Sequence, residues 1–209
     1  MVINVLGDSI TGGALASSES KTFVSVLANL LNCQVNNFGI GGSRIAKQQA
    51  LFINPRYDLF FGSRVKDMPK ADYVVVFGGT NDYGHGDAPI GNKEDETPDT
   101  FYGGMNYLVS ELLKKYDKDK LLFILPLYRE NEDDPLGDHL RVFKTLPLQG
   151  YRDIMIEVLQ SNDIEYLDIK DKLGRPKETD YFGDGLHPND KGHYLIAEIL
   201  ARYIKALWN

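Results

Sequence analysis

The segment Tyr73–Asp82, which reads YVVVFGGTND, decides the fold class of this chain. Its first five residues are β-branched or aromatic, which is typical of a strand buried on both faces of a parallel sheet. Two glycines and three short polar residues follow directly and predict a turn at the carboxyl end of that strand. In open α/β sheets this edge is where ligands bind, so the segment predicts both a fold class and the place of a site.

Further strands and helices alternate along the chain on both sides of this segment. Other short apolar runs predict strands at Val2–Leu6, Gln34–Phe38, Leu121–Leu127 and Glu165–Ile169. Segments with helical periodicity lie at Lys21–Leu31, Phe101–Tyr116, Leu148–Gln160 and Asn189–Leu207, the last with Asn189 as its N-cap. The order predicts a single α/β domain over residues 1–209, a three-layer α/β/α sandwich with a central parallel sheet.

Long loops follow three of the predicted strands. They cover Gly78–Asp99, Tyr128–Thr145 and Lys170–His187. Loops of this length in a compact domain are usually functional, and loops that follow parallel strands meet at one edge of the sheet. We therefore expect the three loops to border a common site.

The composition of the chain disfavours nucleic acids and membranes as its partners. The formal net charge of -7 disfavours nucleic acids and anionic membrane surfaces. Apolar stretches such as Leu121–Leu127 are far shorter than the roughly 20 residues of a membrane-spanning helix. No basic or long apolar segment precedes Val2, so we expect no signal peptide and a cytoplasmic protein. A lone cysteine, Cys33, leaves no internal disulfide.

Chemistry-bearing residues follow the first predicted strand and stand in the last loop. Gly7-Asp8-Ser9 places a serine hydroxyl just past a strand end, although such residues are also common in plain turns. Asp184 and His187 can meet across a tight turn, where the carboxylate would orient the imidazole as a base. The same pair could be a surface loop or half of a metal site, but no companion cluster of ligands is evident.

Two further motifs follow the second and third predicted strands. Asn37–Ser43 holds three glycines in four residues, which allows a backbone N–H to approach a reacting oxygen closely. Asn81 follows Gly79 and could donate its amide to an oxyanion or form a local turn instead. Each motif is modest alone, but the four together, in this order and each at a predicted strand end or in the last loop, are much harder to obtain by chance.

With these four blocks the chain resembles the SGNH hydrolases, also called GDSL esterases and lipases, from Gly7 to Pro188. The first block differs only in Ile10, where the family usually has Leu. The resemblance implies a flavodoxin-like fold, no metal and no cofactor. It implies a catalytic triad of Ser9, His187 and Asp184. It implies oxyanion donors from Ser9, Gly42 and Asn81, with Gly41 as the neighbouring alternative to Gly42.

Substrate contacts are predicted from the same loops. The candidates are Tyr83, His85, Tyr128, Arg129 and Tyr181. Aromatic rings at the edge of a site suit sugar faces or short acyl chains, although ordinary loop packing explains them equally well. We predict a short-acyl ester hydrolase, a carbohydrate O-deacetylase, acting on a small-molecule or carbohydrate ester. A lysophospholipase or thioesterase, a sugar O-acyltransferase and a non-catalytic carbohydrate-binding protein remain alternatives.

Overall fold

The computed structural model describes residues 1–49, 59–138 and 145–208, and a parallel sheet forms its centre. The strands are β1 Val2–Gly7, β2 Gln34–Gly39, β3 Tyr73–Phe77, β4 Leu121–Ile124 and β5 Glu165–Leu167. They lie in the order β2-β1-β3-β4-β5, and each neighbouring pair is parallel. Each predicted strand is therefore confirmed, with shifted ends.

Eight α-helices connect and cover these strands in the described part of the chain. They are α1 Ser9–Gly12, α2 Phe23–Leu31, α3 Phe61–Arg64, α4 Thr80–His85, α5 Phe101–Leu113, α6 Leu148–Ser161, α7 Lys170–Leu173 and α8 Asp190–Leu207. Short 3-10 turns lie at Glu19–Lys21, Val65–Asp67 and Lys118–Lys120. Within the described ranges, none of these helices has the length and apolar character needed to span a bilayer.

Two apolar cores separate the sheet from its helices, which confirms the three-layer sandwich. Val74 and Val76 of β3 face a core formed with α5 and α6. Val75 and Phe77 face the opposite core, formed with α2 and α8. Successive strand residues point to opposite faces, so a continuous apolar run is what a doubly covered sheet requires.

Two predicted strands end earlier than the apolar pattern suggests. β4 stops at Ile124 rather than Leu127, and β5 stops at Leu167 rather than Ile169. Pro126 has no N–H to donate to the ladder, so the apolar residues around it are buried without being paired as a strand. Leu125 and Leu127 still lie in the core, where they are 0% and 3% exposed.

Four short helices of the described residues lie where the sequence predicted loops or no element, and α1, directly after β1, is the first of them. α4 occupies the start of the Gly78–Asp99 loop, and α7 begins the Lys170–His187 loop. α3 lies in a stretch for which no element was predicted. One or two helical turns carry too few residues for a periodic signal, because an amphipathic pattern needs several turns. Part of the predicted loop Tyr128–Thr145, residues 139–144, lies outside the described residues.

The strand register aligns three chain segments at one edge. Gly7, the last residue of β1, pairs with Gly39 of β2 on one side and with Phe77 of β3 on the other. The chain therefore leaves these three adjacent strands at the same level. The segments that follow begin with Asp8, Ile40 and Gly78, so all three glycine-containing motifs meet there.

His193 connects the last helix to the segments around the first motif. The ring is 0% exposed and stacks on Phe23. Its Nδ1 accepts from the N–H of Phe23 at 3.2 Å, and its Nε2 donates to the carbonyl of Ala14 at 3.0 Å. This arrangement requires a neutral ring, and burial lowers the pKa of His193. His193 is therefore a structural residue.

We expect His193 to make the fold sensitive to acid. As pH falls through its ordinary value near 6.5, the unfolded chain takes up a proton that the folded chain resists. The free energy of unfolding should therefore fall more steeply between pH 7.5 and pH 5 in the wild type than in His193→Gln, which cannot titrate. Urea unfolding at each pH measures the difference. Equal slopes for the two proteins would contradict this role, because every other titrating group is common to both.

Candidate active site

The turn after β1 presents Ser9 at the edge of the sheet. Asp8 caps α1, its carboxylate accepting the N–H of Ile10 at 3.0 Å, and Ser9 is the first helical residue. A side chain at Gly7 would place Cβ 1.9 Å from the Thr11 hydroxyl oxygen, so only glycine fits before this turn. The N–H of Ser9 has no acceptor within its own helix, because the first helical donors never do.

The turn between Asp184 and His187 positions the imidazole. One carboxylate oxygen of Asp184 accepts the N–H of Leu186 at 2.7 Å and that of His187. The other oxygen lies 2.9 Å from His187 Nδ1. Burial alone would raise the pKa of Asp184, but the hydrogen bonds from the ring and backbone of His187 outweigh it and leave this pKa below its ordinary value. The carboxylate is therefore ionised at neutral pH.

The structure brings Ser9 and His187 together from opposite ends of the chain. Ser9 Oγ lies 3.0 Å from His187 Nε2. With the Nδ1 proton directed at Asp184, Nε2 is left as the acceptor for the Ser9 proton. Hydroxyl, imidazole and carboxylate thus form a continuous hydrogen-bonded chain, the arrangement that activates a serine nucleophile.

The glycine motif forms a β-turn beside the serine. Ser43 N–H donates to the carbonyl of Ile40 at 3.1 Å, and Gly42 has a φ of +73° at the third position of this turn. Type II turns need a positive φ there, which favours glycine. A Cβ on Gly41 would lie 3.8 Å from Ser9 Cβ, so the turn adjoins the nucleophile. Among the described residues, no protein acceptor takes the N–H of Gly42.

Asn81 lies at the start of α4 and joins this turn. Its side-chain amide donates to the carbonyl of Ser43 at 3.1 Å, and the residue is 3% exposed. A carboxamide has two N–H donors, so one hydrogen bond leaves a second donor. The sequence reasoning offered a local turn at Asn81 as the alternative, and the structure has a helix there.

Asp82 is a residue whose role the sequence reasoning missed. Its two carboxylate oxygens each accept a backbone N–H, from Ile45 and from Ala46, at 2.9 Å. Burial raises the pKa of Asp82 to about 6 despite these bonds. Burial likewise raises the pKa of Asp8 to about 6. Asp82 connects the segment just after the glycine motif to α4, and in the sequence its position next to Asn81 was the signal for this role.

Two of the predicted substrate contacts are buried in the structure. Tyr83 is 0% exposed, and its hydroxyl lies within hydrogen-bonding distance of the backbone carbonyls of Asn131 and Asp134. Arg129 is 6% exposed and donates to the carbonyl of Thr80 and the carboxylate of Asp138. Both side chains connect the loop after β4 to α4 and are turned inward.

The remaining substrate candidates lie in different surroundings. His85 ends α4, with Nδ1 3.4 Å from Asp138. Tyr128 donates its hydroxyl to Asp171 at 2.7 Å, and the Arg175 guanidinium lies 4.4 Å from its ring centroid. Tyr181 packs against the core between α2 and α8. Substrate contact by these three residues stays a prediction.

Within residues 1–49, 59–138 and 145–208, no three His, Cys, Asp or Glu side chains converge in a way that could hold a metal ion.

The three-layer α/β/α fold and the serine–histidine–aspartate geometry are those of a serine hydrolase that acts on acyl esters. The chain belongs to the GDSL-like Lipase/Acylhydrolase family, which matches residues 5–195. The resemblance stated from the sequence motifs is thereby confirmed, and so is the class of enzyme. No curated protein sequence matches the chain.

Solved structures with the same architecture span nearly the whole chain. A protein from Lactobacillus plantarum is 28% identical, with a TM-score of 0.79 over 98% of this chain and 96% of that one. An aryl esterase of M. smegmatis is 18% identical, with a TM-score of 0.73 over 99% of both chains. A carbohydrate acetylesterase from Sinorhizobium meliloti is 16% identical, with a TM-score of 0.72 over 99% of both chains. The last two likenesses concern the fold alone.

Proposed function

We propose that this protein hydrolyses short-chain acyl esters through Ser9, His187 and Asp184, and that its substrates are O-acetylated carbohydrates. The observation that carries the catalytic assignment is the hydrogen-bonded chain from Ser9 Oγ through His187 to Asp184. Its members are 178 and 3 residues apart in sequence, so only the tertiary fold joins the serine to the pair.

The reaction follows from this geometry. Ser9 Oγ attacks the ester carbonyl carbon as His187 Nε2 takes the hydroxyl proton. The tetrahedral intermediate then expels the alcohol, which receives that proton, and leaves the acyl group on Ser9. Water attacks the acyl-enzyme by the same route, with Nε2 again as the base. Asp184 stabilises the imidazolium throughout without taking the proton.

Three donors are proposed for the oxyanion. They are the N–H groups of Ser9 and Gly42 and the second amide hydrogen of Asn81. Two observations support this proposal. Among the described residues, no protein acceptor takes the N–H of Ser9 or that of Gly42. The side-chain amide of Asn81 is held in place by its hydrogen bond to the carbonyl of Ser43. Donors that are held in place before the reaction stabilise the developing charge without the cost of reorganisation.

The surroundings of the turn between Asp184 and His187 support a polar substrate. A cavity of about 450 Å³ lies in the loop that packs on this turn, and it is lined by residues 129–134 and 175–178 rather than by Ser9 or His187. Its wall carries charged groups such as Glu130, Glu132 and Lys177, and the N–H of Glu130 donates to the carbonyl of Gly185. Such a lining suits hydroxyl-rich groups better than a long acyl chain. The fold shared with a carbohydrate acetylesterase supports the same direction.

A substrate series tests the acyl and alcohol preferences. We expect kcat/KM to be highest for acetyl or butyryl p-nitrophenyl esters and to fall at octanoyl and palmitoyl, with acetate released from acetylated xylose or amino sugars. Ser9→Ala supplies the background rate for each substrate. A maximum at octanoyl or longer, with no acetate released from any sugar, would assign the protein to the lipases or thioesterases instead.

A further inference from the structure

A buried arginine lies directly beneath the proposed oxyanion site. Arg64 ends α3 and is 7% exposed. Its Nη1 donates to the carbonyl of Phe38 at 2.8 Å, at the end of β2. Its Nη2 donates to the carbonyl of Gly7 at 3.1 Å, at the end of β1. One guanidinium group therefore joins the ends of the two strands from which the serine and glycine motifs emerge.

The same guanidinium also holds the glycine turn. Nη2 lies 3.1 Å from the hydroxyl of Ser43, which in turn donates to the carbonyl of Ile40 at 2.7 Å. Ser43 and Ile40 are the two ends of the β-turn whose third residue is Gly42. Arg64 thus contacts the strand end just before the nucleophile and the last residue of the turn that carries the second backbone donor.

The chemistry of these contacts is specific to arginine. The guanidinium donates to three neutral oxygens at directions fixed by its plane, whereas a lysine ammonium would have to serve them from one nitrogen. Burying a charge is costly, and the negative charge of the nearby Asp8 offsets part of that cost, although among the described residues no carboxylate makes an ion pair with Arg64. An apolar residue in this place would leave the three oxygens without the guanidinium donor, so these contacts hold both strand ends and the glycine turn together.

We propose that Arg64 is a positioning residue that sets the distance and angle between the backbone N–H groups of Ser9 and Gly42, and thereby stabilises the transition state without touching the substrate. The inference rests on the proposed function, because it needs both N–H groups to be oxyanion donors. Misplacement of donors should lower turnover rather than substrate binding, since the oxyanion exists only after attack.

The test compares variants by kcat, KM and the inhibition constant of a phenylboronic acid, whose serine adduct is tetrahedral. In Arg64→Lys and Arg64→Met, kcat for p-nitrophenyl acetate should fall by about 10- to 100-fold. KM should stay nearly unchanged, and the boronate constant should rise by a similar factor. Ser43→Ala removes only the hydroxyl that accepts from Arg64 and leaves the buried guanidinium unchanged. This variant should show a smaller fall in kcat, again with KM nearly unchanged.

Arg152→Lys is the matched control. Arg152 is also buried and donates to the carbonyl of Pro126 and to Asp168 at the ends of β4 and β5, with no described contact to the glycine turn. The Arg152→Lys substitution should lower the midpoint of thermal unfolding as much as Arg64→Lys does, while its kcat and its boronate inhibition constant stay at wild-type values. The inference would be overturned if kcat fell no further in Arg64→Lys than in Arg152→Lys. It would also be overturned if Arg64→Lys raised KM and left kcat unchanged. Absence of Ser9-dependent hydrolysis in the wild type would instead overturn the proposed function.

Discussion

Ser9→Ala is expected to lower kcat for ester hydrolysis by on the order of 10⁴-fold or more, to near the background rate. Without the hydroxyl there is no acyl-enzyme, and the remaining donors can only assist direct attack by water. The fold should be unaffected, because the described contact of Ser9 Oγ is the one to His187. Steady-state hydrolysis of p-nitrophenyl acetate by purified protein measures the effect.

A covalent label checks the same assignment independently of turnover. An organophosphonate should modify Ser9 and no other serine in the wild type, and should modify nothing in Ser9→Ala. Ser17→Ala is the control, since Ser17 is close in sequence but exposed and bonded to Asp190. Full labelling and activity in Ser17→Ala are expected. Labelling at another serine, or retained activity in Ser9→Ala, would remove Ser9 from the mechanism.

Asn81→Ala is expected to lower kcat by about 10²- to 10³-fold, with KM changed far less. The side-chain amide is proposed to bind the oxyanion, which is absent from the ground state, so its loss should appear in turnover. The pre-steady-state burst of p-nitrophenol should slow as well, because an oxyanion forms in acylation and again in deacylation.

Stability must be separated from catalysis in this variant, because Asn81 also donates to Ser43. Asn106→Ala serves as the control. Its amide likewise donates to backbone carbonyls, those of Lys93 and Asp95, but it lies on α5 outside the site. Asn106→Ala should lose stability and keep its kcat. A folded Asn81→Ala protein with wild-type kcat would show that the amide takes no part in the reaction.

The sequence predicted most of the architecture because the relevant signals are local. A run such as Tyr73–Phe77 can bury both faces only in a covered parallel sheet, and each of the five predicted strands is present. Asn189 was predicted as an N-cap from its position alone, and its side chain accepts the N–H groups of Lys191 and Gly192. Errors in the strand ends arose where apolar residues are buried outside the ladder, as at Leu127.

By itself, therefore, the sequence determined the order of the strands and of the four longer helices, the family, and the four motifs placed at strand ends or in the last loop. Only the tertiary structure decided that Tyr83 and Arg129 point inward, and that the guanidinium of Arg64 lies beneath the glycine turn. The physical reason is the range of the interactions. Hydrophobic period and turn residues act within a few positions of the chain. The direction of a loop side chain and the partners of a buried charge depend on segments far apart in sequence, such as the 57 residues that separate Arg64 from Gly7.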